Sequence, residues 1–297
     1  MVSETRIDWH LMNREKRYPF GLVPADLAAH FQPLGFPPPW RERPWIYADM
    51  VVSANGIVAW KPEPGKPHPV EIILGGNPRR PERLADLFFM RWLRCFGACS
   101  VGAETQRVQR GLIQTPQEAW EREAYPEFQP LYDALYRLRR AHGFSHHPLN
   151  IRYSQSGNLD LTDPLFNTPG VQVVVITTEE GADRLIKAGS DAKDVKLLVE
   201  PVLDAKGLRR AHERLLEVYD ARRLSCEGGE GILRSLREAE ILDEVFVTTT
   251  DVEIDTAGLE GVKQLPDYGT EGAALIAEGK ISPESAWTFR RWRFNQR

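Results

Sequence analysis

Short apolar runs and amphipathic stretches alternate along most of this chain. Leu149 to Tyr153, Val171 to Thr177 and Val195 to Glu200 are compact runs, two of them valine-rich, that suit a pleated, buried conformation. Glu179 to Ala188 and Leu208 to Tyr219 instead space their apolar residues three and four apart, as one helix face requires. Arg83 to Phe96 has the same helical spacing, Cys99 to Val101 is a short strand, and Phe128 to His142 is a helix with Leu131, Leu135 and Leu138 on one side. Strands separated by helices predict a largely parallel sheet covered on both faces, because a parallel crossover needs a helix-length connection.

Toward the start, Pro44 to Ala59 reads as a strand, a turn at Ser53-Ala54-Asn55-Gly56 and a second short strand. Lys61 to Pro78 holds five prolines and reads as a loop, with Val70 to Leu74 as a strand inside it. Residues 1–43, rich in proline and aromatics with one helical stretch near Ala25 to Phe31, are expected to form an N-terminal extension packed on a domain of residues 44–297. Near the end, Glu244 to Thr250 and Ala286 to Phe294 read as strands with no helix between them, which predicts an antiparallel edge. The expected architecture is a three-layer α/β domain with a mixed, mostly parallel central sheet and an antiparallel C-terminal edge.

The most informative junction is the strand Ala221 to Cys226, which empties into Glu227-Gly228-Gly229-Glu230-Gly231, followed at once by a helical pattern (Ile232, Leu233, Leu236, Ala239). Glycines there let backbone N–H groups approach a ligand, and the helix N-terminus adds partial positive charge, so the junction suits an anion. Glu227 would face the same crevice and accept hydrogen bonds from ligand hydroxyls. Glycine also joins strand to helix merely to turn sharply, and this loop matches neither the dinucleotide fingerprint nor the ATP-type phosphate loop. A second junction, Cys99-Ser100-Val101 into Gly102-Ala103-Glu104-Thr105, leaves the Thr105 hydroxyl either to cap a helical turn or to bond a phosphate oxygen.

With 297 residues, 42% hydrophobic and 27% charged, the chain can bury a large core. A net charge of -4 argues against nucleic acid or an anionic membrane as the main partner. Cys95, Cys99 and Cys226 make no disulfide framework and Met1-Val2-Ser3-Glu4-Thr5 has no signal pattern, so a cytoplasmic location is expected. No apolar run is long enough to span a bilayer. Cys95 and Cys99 lack further metal ligands nearby and read as buried thiols, and His142, His146 and His147 as a solvated loop. Asp243-Glu244 reads as a charged strand entrance, and Trp292 and Phe294 as one face of a strand.

Taken in order, Ser53-x-Asn55-Gly56 after a strand, Leu93-Arg94 before a strand into Gly102-Ala103-x-Thr105, Glu227-Gly228-Gly229, Leu242-Asp243-Glu244 and Phe289-Arg290-Arg291-Trp292-Arg293-Phe294 form a specific series. Over about residues 44–297 the chain resembles the reductase domain of riboflavin biosynthesis, the C-terminal half of bifunctional deaminase-reductases, which has the dihydrofolate-reductase-like fold. The resemblance implies an NADPH-dependent reductase that forms a homodimer. It implies that Gly102, Ala103 and Thr105, with Gly228, Gly229, Glu230 and Gly231, hold the cofactor, that Ser154 is a cofactor-binding serine, and that Thr177 and Thr178 lie toward the adenosine. Arg94 and Glu227 would contact a ribose-phosphate substrate, with Asn55 and Gln109 on the substrate side and Ser53 on the cofactor side. The residue reading runs the same way, since ligands of open α/β sheets bind at strand C-termini and Ser53, Gly102, Ser154, Thr177 and Glu227 all follow strand-like runs.

The sequence departs from the family at the substrate side. Asn55 stands where the family has an aspartate, and Gln109, Arg110 and Gly111 where it reads Asp-Asp-Pro. The sequence contains no H-x-E followed by P-C-x-x-C, the zinc-deaminase pattern. No acid–base triad is visible, so the catalytic residues stay open. The expected function is NADPH-dependent reduction of a ribosylamino-pyrimidine or related heterocycle. A pterin- or folate-type reductase on the same fold, or a non-catalytic nucleotide-binding interaction protein, are the alternatives.

Overall fold

The computed structural model describes residues 5–11 and 35–295. Strand β1 (Asp8–Leu11) precedes β2 (Trp45–Val52) and β3 (Ile57–Ala59); helices α1 (Pro69–Ile73) and α2 (Pro81–Leu93) follow, and β4 (Ala98–Gly102) runs into α3 (Ala103–Val108). After α4 (Glu121–Ala124) and α5 (Gln129–Ala141) come β5 (Asn150–Tyr153), β6 (Val173–Thr177), α6 (Glu179–Lys187), β7 (Lys196–Val199), α7 (Ala205–Tyr219), β8 (Arg223–Cys226) and α8 (Glu230–Glu238). Strands β9 (Glu244–Thr249), β10 (Lys263–Gln264), β11 (Ala274–Lys280) and β12 (Thr288–Arg293) complete the order.

Ten strands form one sheet in the order β1-β11-β12-β9-β2-β8-β4-β5-β6-β7. From β9 across to β7 every pairing is parallel, and β12, β11 and β1 add an antiparallel edge. Strands β3 and β10 pair separately. The period-two alternation of β2 divides the core. Trp45 and Tyr47 pack on one face with Phe88, Phe89 and Trp92 of α2 and Leu131 and Leu135 of α5. Ile46, Ala48, Met50 and Val52 pack on the other with α7 and α8. Val173 and Val175 of β6 meet Leu185 of α6, while Val174 and Ile176 face α7. Helices thus cover both faces, the three layers that the alternating pattern predicts.

Local signals explain the helix starts. Thr178 caps α6 by accepting from the Gly181 N–H, and Asp204 caps α7 by accepting from Gly207 at 2.8 Å. Of residues 70–74, expected as a strand, 70–73 belong instead to α1 and Leu74 is its C-cap. Pro69 at the first helical position and His68, whose Nδ1 accepts from the Val70 N–H, start a helix that buries Ile73.

The antiparallel edge is wider than the sequence suggests. β10 and β11 lie between the two strands that were expected, and β1 pairs outside β11. Gly279 of β11 leaves room for this partner, because a Cβ there would stand 2.6 Å from Ile7 Cγ2. The helical stretch expected near Ala25 to Phe31 lies outside the described residues. From residue 35 the chain packs against the sheet, with Phe36 stacked on Tyr47 at 4.4 Å between ring centres. No helix among the described residues is long and apolar enough to cross a membrane.

Asp243, at the entrance to β9, ties this segment down. Its buried carboxylate accepts from Trp40 Nε1 at 2.7 Å, from Arg43 Nη1 and Nη2 at 2.7 and 2.8 Å, and from the Ile46 N–H at 2.8 Å. Its neighbour Glu244 is held by Arg291 and Arg293. The charged strand entrance is therefore structural. Asp243→Ala would leave a half-buried guanidinium and the buried Ile46 N–H without their acceptor, and urea unfolding should show a loss of about 3 kcal/mol.

Candidate functional site

The parallel strands all end on one rim, and a cavity of about 810 Å³ opens there. It is lined by Gly102 and Thr105 after β4, Ser154 after β5, Thr178 after β6, Val202 after β7, and Gly229 and Gly231 after β8. Ligands of open α/β sheets bind at such C-terminal edges.

The glycine junction is the centre of this rim. Helix α8 begins with Gly229 as its cap residue and no side chain caps it, so its first-turn N–H groups lack a side-chain acceptor. Gly228 has φ +92°, a left-handed backbone that favours glycine, and the peptide between Gly228 and Gly229 is cis. A Cβ on Gly229 would stand 3.2 Å from Thr105 Oγ1, so the two junctions meet. The Gly102 N–H donates to Gly228 O at 3.0 Å, and the Glu227 N–H to Ser100 O at 2.9 Å.

Two further features open toward the same cavity. Ser154 is buried and its Oγ has no hydrogen-bond partner, a cost that a ligand acceptor or donor would relieve. Tyr153 lines the wall, and its hydroxyl lies 2.9 Å from His212 Nε2. His212 Nδ1 faces Leu208 O at 2.6 Å, so the proton sits on Nδ1 and Nε2 accepts from the tyrosine. Burial pushes the His212 imidazole down to about 4, which keeps it neutral in that role.

A second cavity of about 400 Å³ adjoins the first and shares Glu104, Thr105 and Gly229 with it. Trp60, Val51, Val58 and Val108 make it largely apolar, and Asp49 of β2 lines it with Gln109 and Glu230. Sequence reasoning passed over Asp49, Trp60, Tyr153 and Arg107, which lines the larger cavity. A carboxylate inside the otherwise apolar run Trp45–Val52 was the signal that could have marked Asp49.

The other expected residues are placed differently. Arg94 and Glu227 line neither of these two cavities. They form a bidentate ion pair, Nε and Nη2 each 2.6 Å from a carboxylate oxygen, with both side chains buried. Arg94 Nη1 also donates to Thr115 O and to Glu118 at 3.0 Å, and Arg91 binds Glu118 and Glu121. Ser53 Oγ donates to Asn55 Oδ1 at 2.7 Å and accepts from the Ile57 N–H, which closes the turn. Asn55 bridges to Ile254, donating to its carbonyl and accepting from its N–H. Thr177 is buried behind the rim and donates to Ser154 O at 2.6 Å. Arg110 pairs with Asp160 at 3.1 Å on the surface. Cys95, Cys99 and Cys226 are buried thiols, and no cluster of three or more metal-ligating side chains occurs among the described residues.

No family model matches this sequence, and no curated protein matches it. Solved structures do match by fold. A pyrimidine reductase-like protein of Corynebacterium diphtheriae shares 21% identity at a TM-score of 0.60, over 86% of this chain and 93% of that one. The riboflavin biosynthesis reductase Rib7 of Saccharomyces cerevisiae shares 15% at 0.53, over 85% and 90%. The diaminohydroxyphosphoribosylaminopyrimidine deaminase/5-amino-6-(5-phosphoribosylamino)uracil reductase of Thermotoga maritima shares 14% at 0.50, over 85% of this chain and 57% of that longer one. The chain has the dihydrofolate-reductase-like fold of riboflavin-pathway reductases, which agrees with the resemblance read from its motifs.

The ionic cluster behind the rim gives a pH dependence. Burial pushes the Glu118 carboxyl up, but Arg91 and Arg94 outweigh it and hold it at about 2. Folding thus depresses this group below its unfolded value of roughly 4.3, so its contribution to stability is present above that value and lost as pH falls toward the folded one. Glu118→Gln should lower stability by about 2 kcal/mol at neutral pH, and the difference from the parent should vanish near pH ~2 in acid-titrated urea unfolding.

Proposed function

We propose that this protein is a reductase that uses a nicotinamide dinucleotide, NADPH by its resemblance, to reduce a ribosylamino-pyrimidine or a related heterocycle. The observation that carries this reading is the single rim where the uncapped glycine start of α8, Gly102, Thr105 and the unpartnered Ser154 hydroxyl converge on one large cavity. A diphosphate would accept from the first-turn N–H groups of α8 and lie against Thr105, and Ser154 Oγ would gain its missing partner. When bound, such a cofactor supplies a hydride.

The chain's own part is to bind, orient and exclude water. The adjoining apolar cavity suits a flat heterocycle, and the shared wall of Glu104, Thr105 and Gly229 would set that ring beside the cofactor's reactive end. The folds of the Corynebacterium, Saccharomyces and Thermotoga proteins support a reductase of this class. Assembly as a homodimer belongs to the same reading. Fluorescence titration of the purified protein with NADPH and with NADH tests the cofactor, and binding of neither would remove the basis of the proposal.

Gly229 offers a sharper variant than Gly228, because its φ of -73° suits a side chain and an added Cβ, 3.2 Å from Thr105 Oγ1, would ask only for a small shift of that hydroxyl. Gly229→Asp would add a helix cap, which favours the fold, while setting a negative side chain where the diphosphate lies. NADPH affinity should fall about thirtyfold, about 2 kcal/mol, with unfolding stability within about 1 kcal/mol of the parent.

A further inference from the structure

Most carboxyl groups buried around the centre of the sheet have a cationic partner, but the neighbouring Asp49 and Asp86 form no ion pair among the described residues, and of the two only Asp86 has a side-chain partner, the Thr248 hydroxyl. Asp243 is met by Arg43, Glu244 by Arg291 and Arg293, Glu121 by Arg91, and Glu227 by Arg94. Asp49, on β2 between buried Ala48 and Met50, makes no side-chain hydrogen bond or ion pair among the described residues, and it lines the apolar cavity beside the glycine loop. Desolvated carboxylates left without a partner neutralise themselves by holding a proton.

The surroundings of Asp49 reinforce this. Asp86 and Arg91 face it from α2, Arg94 from the turn that follows, and Glu227 from the end of β8. The two guanidiniums are already bound to Glu118, Glu121 and Glu227, so they answer more carboxylates than their own charge. Across the cavity, Lys61 is paired with Glu260 at 2.7 Å and Lys263 with Glu104 at 3.2 Å. His68 lies at the same wall with Glu230, and burial pushes its imidazole down toward the neutral form.

We propose that Asp49 is the acid of this site, a neutral carboxyl that delivers the proton completing reduction of a C=N or C=O bond in the adjoining cavity. This rests on the reductase reading above. Such a reduction adds a hydride at carbon, which a nicotinamide dinucleotide supplies and is oxidised in doing so, and a proton at nitrogen or oxygen. The proton leaves Asp49 Oδ, the electron pair of the π bond takes it up, and the carboxylate regains a proton from water at the cavity mouth. Burial, then Asp86 and Glu227, push the Asp49 carboxyl well above the usual carboxylate range, against the pull of Arg94 and Arg91. Activity should therefore fall as pH rises through that raised value.

Two readouts test this. Infrared difference spectra between the parent and Asp49→Asn at neutral pH should show a protonated carboxyl band that the variant lacks. The titration midpoint of that band should move down in Asp86→Asn, which removes a neighbouring negative charge. With NADPH and 5-amino-6-(5-phosphoribosylamino)uracil as probes, Asp49→Asn should lose about a hundredfold or more in kcat/KM, with NADPH affinity within about twofold of the parent. The descending limb of the parent's pH profile should shift to lower pH in Asp86→Asn. A purely structural Asp49 would move neither midpoint nor limb. An ionised Asp49 at neutral pH, or an Asn variant retaining turnover within about threefold, would overturn the proposal. A parent that binds NADPH but never oxidises it with this probe rejects the acid role and leaves the cofactor cavity standing. A parent that binds no dinucleotide overturns both.

Discussion

The buried ion pair between Arg94 and Glu227 fixes where β8 stops and the glycine loop begins. Desolvating two charges is expensive, and such a pair is tolerated only where its geometry is good and its remaining hydrogen-bonding capacity is met. Here Arg94 gives two N–H groups to Glu227 and shares its other nitrogen between Thr115 O and Glu118. The backbone is stitched at the same point, Glu227 N–H to Ser100 O and Gly102 N–H to Gly228 O. With that corner fixed, Gly229 lies against Thr105 and the start of α8 faces the cavity. The two residues thus shape the loop, and the N–H groups of that loop are what remain to meet a ligand.

The parallel half of the sheet was legible because its strands are buried on both sides. A run such as Val173–Thr177 has every residue buried, and flanking helices show clean apolar spacing. The antiparallel edge was harder to see. β11 reads Ala-Leu-Ile-Ala-Glu-Gly-Lys, small and mixed residues whose pairing with β1 joins positions more than 260 residues apart in sequence, as Asp8 and Lys280 do. Helix α1 hides within a proline-rich loop, where its proline serves as a start signal rather than a break.

At the site, local signals found the junctions and missed the partnerships. Strand followed by small residues located Gly102, Thr105, Ser154 and Gly229, all of which meet at one rim. Position at a strand end could not reveal that Arg94 and Glu227, 133 residues apart, neutralise each other, because that depends on packing across the sheet. Asp49 escaped for the complementary reason. In a strand of period two its neighbours point away from it, and what makes it unusual is that the guanidiniums near it in the folded core are bound to other carboxylates.

The changed turn at Ser53–Gly56 acquires a physical meaning from its contacts. Asn55 donates to Ile254 O and accepts from Ile254 N–H, which an amide can do and a carboxylate cannot. An aspartate there could not donate to that carbonyl, so the residue that departs from the family pattern locks the turn to the segment after β9. The turn therefore brings no charge to the apolar cavity, whose wall carries Asp49 together with Gln109, another departure. A ligand in that cavity that lacks a group complementary to Asp49 would leave the carboxyl without a partner, so hydrogen-bonding need would discriminate among ligands. One wall of the apolar cavity is thus β2 itself, through Asp49, Met50 and Val51, and the segments around it supply the rest.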